Sequence, residues 1–168
     1  VFRDKFKINT IMVHYVFDLD DTLIIHRKDR RIIYGAMEPD LQLSNHLNKC
    51  NGSCYIYTNG TAGHALEVIK RLGIKDHFEK IYSRDTIPYM KPHYKSFQAV
   101  QDDLSIRSNE TKEPVIFFDD ILENLEEASR MGWITFWIHP DAIKGEYYHY
   151  VSKSFTDIKS CFQFLETK

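Results

Sequence analysis

The chain has 168 residues, 43% of them hydrophobic and 27% charged, with a formal net charge of −2. That is enough to bury a core of ordinary size in one domain, and it gives no global attraction to nucleic acid or to an anionic membrane surface. Three cysteines, Cys50, Cys54 and Cys161, lie in neither a paired framework nor a CxxC spacing; they read as reduced, buried thiols of a cytoplasmic or nuclear protein. No apolar run approaches the ~18 residues that a membrane span needs, and no signal peptide is expected.

Residues 1–11 precede Met12 and are expected to be an upstream extension or an appended remnant, which leaves 12–168 as a single domain. Val13 to Phe17 is the first strand. Leu23 to Ile25 and Arg31 to Tyr34, joined by His26 to Arg30, read as a β-hairpin or flap. Pro39 suits the first turn of a short helix that ends near Asn51-Gly52. A strand follows through Cys54, Tyr55, Ile56 and Tyr57. Ala65, Leu66, Ile69 and Leu72 have helical spacing within Thr61 to Leu72, and Gly73 suits its C-cap. Ile81-Tyr82 reads as a short strand, and Pro92 as the opening of a helix that runs to about Asp103. The polar loop from Ser105 to Glu113 leads to the strand Val115 to Phe118, then to a helix from Glu123 to Met131 stopped by Gly132. Trp133 to Ile138 is the last strand expected, and Thr156 to Leu165 a terminal helix capped by Thr156. Strands alternating with helices imply an α/β fold, a parallel sheet with helices on both faces.

Two of these strands deliver carboxylates at their C-terminal ends, the edge at which open parallel sheets place their ligands. Val16-Phe17-Asp18-Leu19-Asp20-Asp21-Thr22 is one, and Ile116-Phe117-Phe118-Asp119-Asp120 the other. Asp18 and Asp20 are two apart, so on an extended strand end they share a face. If Asp119 and Asp120 rise beside them, like charges about 4 Å apart repel by roughly 4 kcal/mol at an effective dielectric near 20. Such a cluster calls for a cation, and an all-oxygen ligand set points to Mg²⁺. A lone aspartate at a strand end is commonly a turn former, Thr58 could cap a helix, and Lys91 could be a surface lysine; Asp21 is expected only to make local hydrogen bonds in its loop.

With Thr58-Asn59-Gly60 after the middle strand and Met90-Lys91-Pro92 in a later loop, the chain resembles the haloacid dehalogenase (HAD) superfamily of phosphohydrolases, all four of whose motifs are present in order. The resemblance runs from about Val13 to Pro140. It implies a Rossmann-like HAD fold and a set of roles: Asp18 as nucleophile, Asp20 as general acid and base, and Lys91 as the charge that balances nucleophile and phosphate. It implies further that Thr58 and the N–H groups around Asn59 and Gly60 hold phosphate oxygens. Mg²⁺ would be bound by Asp18, the backbone carbonyl of Asp20, and Asp119 and Asp120, with Asp120 the direct ligand and Asp119 behind it.

The stretch from Glu38 to Gly132 is most similar to the pyrimidine 5'-nucleotidase-like branch, which carries a helical cap domain between its first two motifs. Only about thirty residues, Ile24 to Cys54, stand there in this chain, so no cap is expected. The expected activity is a nucleotidase-like phosphomonoesterase acting on nucleoside monophosphates or similar small esters. The alternatives are a capless phosphatase for a phosphoprotein or a nucleic-acid 3' or 5' phosphate, and a catalytically silent interaction module. The cap's place could be taken by the flap, by a neighbouring copy in a homo-oligomer, or by a large substrate. Arg27, Lys28, Arg30 and Arg31 on the flap are the candidate substrate contacts.

Overall fold

The central apolar runs become strands here because both of their faces are covered. In the computed structural model, which describes residues 12–26, 34–108 and 112–168, the strands are β1 (Val13–Phe17), β2 (Gly52–Tyr57), β3 (Phe78–Tyr82), β4 (Val115–Asp119), β5 (Ile134–Ile138) and β6 (Lys153–Phe155). They form one sheet in the order β3-β2-β1-β4-β5-β6, every neighbouring pair parallel. The helices are α1 (Leu41–Asn48), α2 (Ala62–Arg71), α3 (Tyr94–Arg107), α4 (Leu122–Arg130) and α5 (Ile158–Glu166).

Alternation along β1 sends side chains into two cores. Phe17, stacked on Phe118 of β4 at 4.3 Å, packs in a cluster with Leu43 of α1, Val68 of α2 and Phe162 of α5. Val16 joins Tyr57, Phe117, Phe97 of α3 and Leu125 of α4 on the other face. Each fully buried Phe or Leu contributes roughly 1.5–3 kcal/mol. The order of strands also fixes where a ligand can sit. The chain runs outward from β1 to β3 and then returns to place β4 on the other side of β1, so a crevice opens between the C-terminal ends of β1 and β4.

Several expected boundaries move. The helix foreseen at Pro39 begins at Leu41, because Asp40 is the N-cap and its Oδ1 accepts the Leu43 N–H at 2.9 Å. Pro92 does not open α3: Lys91-Pro92 is a cis peptide, and His93 is the cap. The last helix is capped by Asp157, which accepts the Ser160 N–H, and not by Thr156. A sixth strand, β6, was not foreseen; three residues at a sheet edge carry too short a pattern. The hairpin is not seen in its described parts. Residues 21–23 form a turn, Ile24 makes a single bridge with Asp20, and Tyr34 opens a 3-10 turn to Ala36. Its remainder, with Arg27, Lys28, Arg30 and Arg31, lies outside the described residues. Gly73, with φ +70, ends α2 as expected, and all three cysteines are free thiols, Cys50 half-buried and the others buried. No helix among the described residues is long and apolar enough to cross a membrane.

Candidate active site

β1 stops at Phe17, and the next residue is tied to the neighbouring strand: the Asp18 N–H donates to Phe118 O at 2.9 Å. The chain then folds back on one carbonyl, Leu19 O, which accepts the N–H groups of Thr22, Leu23 and Ile24 at 3.3, 3.0 and 3.1 Å. The turn needs a left-handed residue, and Asp21 takes it with φ 60, its carboxylate accepting the His26 N–H at 2.8 Å. This is the local role expected of Asp21. The turn brings Thr22 back under the strand end, where its hydroxyl donates to Asp18 Oδ2 at 3.2 Å and lies 3.5 Å from Asp120 Oδ1.

Lys91 arrives from the opposite side of the crevice. Its ammonium donates to Asp18 Oδ1 at 2.9 Å, to Asp119 Oδ2 at 2.7 Å and to the Tyr57 carbonyl at 2.9 Å, and the rings of Tyr57 and Phe117 lie beneath it. Burial alone would lower its pKa; the carboxylates of Asp119 and Asp18 override that and hold it above the ordinary lysine value. The loop bearing Lys91 is itself braced by Asn59, whose Oδ1 accepts the Lys91 N–H at 2.8 Å while its Nδ2 donates to the Lys91 carbonyl at 2.9 Å. The Asn59 side chain is therefore engaged with the lysine loop. Thr58 Oγ1 accepts the Gly60 N–H at 3.0 Å, which leaves the Thr58 hydroxyl proton to donate elsewhere.

Asp119 and Asp120, adjacent in sequence, have different surroundings. Asp119 is completely buried; besides Lys91, it accepts the Ile121 N–H at 2.8 Å and the amide of Asn124, in the first turn of α4, at 3.1 Å. Asp120 is half-buried, and its carbonyl is pinned by Trp137 Nε1 at 2.9 Å. Oxygens of Asp18, Asp119 and Asp120 come within 4.8 Å of one another. Three carboxylates against one ammonium leave two negative charges uncompensated, and a divalent cation fits that deficit and that all-oxygen set. Burial and crowding disfavour the ionised forms of these carboxyls. Burial pushes Asp18 up to about 6 against the pull of Lys91, and Asp119 likewise; burial and then the charge of Asp119 do the same to Asp120.

Asp20 stands at the mouth of the crevice with 36% of its side chain exposed. His26 Nε2 lies 2.8 Å from its Oδ1 and His64 Nε2 3.5 Å from the same oxygen. Nothing in the sequence marks either histidine as a partner of Asp20, Asn59 as a brace or Asn124 as a partner of Asp119. The structure thus gathers Asp18, Asp20, Thr58, Lys91, Asp119 and Asp120 at one sheet edge, while the four basic flap residues lie outside what it describes.

The family model of haloacid dehalogenase-like hydrolases matches residues 41–138, more than half of the chain. The chain belongs to that family. The match begins after the Asp18–Leu23 run, which the fold nonetheless brings against Lys91 and Asp119. Among solved structures of this family, a HAD-hydrolase from Bacillus subtilis, YfnB, bound to magnesium, is similar with a TM-score of 0.66 and 14% identity over 92% of this chain and 99% of that one. The core domain of a candidate phosphoglycolate phosphatase from Streptococcus pneumoniae is similar at 0.63 and 17%, covering 94% and 97%. An L-2-haloacid dehalogenase from Xanthobacter autotrophicus is similar at 0.59 and 14%, over 79% of this chain, which spans only 63% of the dehalogenase. At these identities the likeness is one of fold, and it includes a dehalogenase as well as a candidate phosphatase.

Proposed function

We propose that this HAD-family hydrolase is a Mg²⁺-dependent phosphomonoesterase that works through an aspartyl-phosphate on Asp18. The observation that carries the proposal is Asp20, a second carboxyl two residues beyond the nucleophile and at the open edge of the site. A halide leaves without a proton. The alkoxide expelled from a phosphate monoester needs one, and Asp20 is placed to supply it.

In the first step a carboxylate oxygen of Asp18 forms a bond to phosphorus and the P–O ester bond breaks. Its electron pair goes to the leaving oxygen, which takes the proton of Asp20. In the second step Asp20, now a carboxylate, takes a proton from water as that oxygen bonds to phosphorus. The electron pair of the Asp18–phosphorus bond returns to Asp18, releasing inorganic phosphate. Lys91 holds Asp18 in place for the attack and offsets the charge that gathers there, and the Thr58 hydroxyl is available to a phosphoryl oxygen. Mg²⁺, held by Asp18, Asp120 and the Asp20 carbonyl with Asp119 behind, would supply positive charge to the phosphoryl oxygens. Hydrolysis of p-nitrophenyl phosphate that EDTA abolishes and Mg²⁺ restores is the expected result; full activity after exhaustive chelation would contradict it. No activity at all with Mg²⁺ would favour the silent-module alternative.

The substrate class proposed is a nucleoside monophosphate or similar small ester. One observation favours a macromolecular phosphate instead: among the described residues, only a 3-10 turn and the eight-residue α1 stand between the Asp18 loop and β2. If a polyanionic substrate covers the site itself, replacing Arg27, Lys28, Arg30 and Arg31 by Ser should raise KM for a phosphorylated oligonucleotide and remove its salt dependence. An equal effect on p-nitrophenyl phosphate would instead point to a cap from a neighbouring copy.

A further inference from the structure

Two imidazoles converge on a single oxygen of Asp20. His26 Nε2 lies 2.8 Å from Oδ1, and His64 Nε2 3.5 Å from it. They come from separate elements. His26 closes the turn that Asp21 makes, its own N–H bound by Asp21 Oδ1, and His64 stands in the first turn of α2, three residues beyond the N-cap Thr61. Tyr34 sets its ring edge-on to both, with centroids 5.1 Å from His64 and 6.3 Å from His26. Each imidazole is about one-third exposed, at 32%, so the pair reaches the mouth of the crevice, where a leaving group has to pass.

The χ2 torsion of an aspartate is broad and roughly two-fold, so an unrestrained carboxyl presents either oxygen to a reacting atom. A donor fixed on one oxygen, with a second imidazole packed against it, removes that equivalence. We infer that His26 and His64 are positioning residues: they hold Asp20 by Oδ1 and reserve Oδ2 for the proton that passes to the leaving group and is later recovered from water. This rests on the phosphatase proposal above. Oδ2–H gives its proton to the ester oxygen as the P–O bond breaks and the pair moves to that oxygen, and Oδ2 later takes a proton from the attacking water. His26 donates a hydrogen bond to Oδ1 throughout, His64 stands against the same oxygen at 3.5 Å, and neither exchanges a proton in the cycle. Where little chain is inserted to enclose the leaving group, the orientation of the acid is thus set by one side chain of the short segment that follows the Asp18 loop and one of α2.

The test compares phenyl phosphate with p-nitrophenyl phosphate at saturating Mg²⁺ in the parent protein, Asp20→Asn, His26→Ala, His64→Ala, the double alanine variant and His26→Gln. General acid catalysis contributes about 10²- to 10⁴-fold, most where the leaving group is poor, so a misaligned acid should lose part of that. The ratio of kcat on p-nitrophenyl phosphate to kcat on phenyl phosphate should rise about tenfold in the double variant. The change should have the same sign as in Asp20→Asn and be smaller, and the effect should lie in kcat and not in KM. His26→Gln, which returns an N–H near the position of Nε2, should bring the ratio back toward that of the parent. Equal losses on both substrates, a change in KM alone, or a constant ratio would each overturn the inference. The two claims separate cleanly: turnover surviving in Asp18→Asn would sink the phosphatase proposal, whereas an inactive Asp18→Asn with a constant ratio in the histidine variants would sink only this one.

Discussion

The ammonium of Lys91 sits 2.7 Å from Asp119 Oδ2 at a point where neither side chain reaches solvent, and the nucleophile candidate Asp18 shares the same ammonium at 2.9 Å. Asp119 therefore acts on Asp18 through Lys91, as a fixed anion that keeps the lysine charged and aimed. Both of its oxygens are already bonded to protein donors, whereas the carboxylate of Asp120 faces the crevice.

Removing the lysine should cost more than activity. Lys91→Met leaves Asp18 and Asp119 buried without their counter-ion, and breaking a buried pair from one side costs about 3–5 kcal/mol. Urea unfolding should show a loss of that order, partly recovered in Lys91→Met/Asp119→Asn. A variant as stable as the parent would mean that the carboxylates relax to solvent and are not held as described.

The two adjacent aspartates should separate in the same assay. Asp119→Ala should destabilise the protein, since it strands Asn124 and the Ile121 N–H and leaves the buried Lys91 with Asp18 as its one carboxylate. Asp120→Ala should remain folded, because it removes a repelling charge, and should lose the rise in melting temperature that Mg²⁺ with beryllium fluoride gives the parent. An undiminished rise in Asp120→Ala would place the metal elsewhere.

Stability of the metal-free protein should fall with rising pH. Asp18, Asp119 and Asp120 are pushed up to about 6 in the fold, chiefly by burial, against about 3.9 in an unfolded chain. Below about pH 4 these groups are protonated in both states and their contribution is intact; as pH rises through about 6 the unfolded chain has already ionised, and the contribution is lost. Urea midpoints in EDTA should decline across that window, less steeply in Asp120→Asn, and added Mg²⁺ should stabilise more at pH 7 than at pH 5. A midpoint that climbs steadily over the window, equally in the parent and in Asp120→Asn, would contradict these protonation states.

Much of this site was legible because a parallel strand buried on both faces is a continuous apolar run, and such a run ends visibly at its first polar residue. Asp18, Thr58 and Asp119 each follow such a run, Asp120 comes next after Asp119, and the return of the chain to β4 explains why residues a hundred apart meet. Lys91 was readable only from the order of the motifs, since nothing in its own loop marks a lysine for burial. His26 reads only as part of a charged flap, and His64 carries no pattern that ties it to Asp20. Their convergence depends on a left-handed turn at Asp21 and on the placement of α2, which are properties of the folded chain. Thr156 and Asp157 are both competent caps, and sequence alone does not choose between adjacent ones.

The most direct test is to quench the protein in acid during turnover of p-nitrophenyl phosphate, digest it, and locate phosphorus by mass spectrometry. The phosphoryl group should lie on the peptide containing Asp18, be discharged by hydroxylamine, and be missing from an inactive Asp18→Asn. Turnover by Asp18→Asn at a rate like that of the parent, or a phosphoryl group on any other residue, would contradict the proposed chemistry.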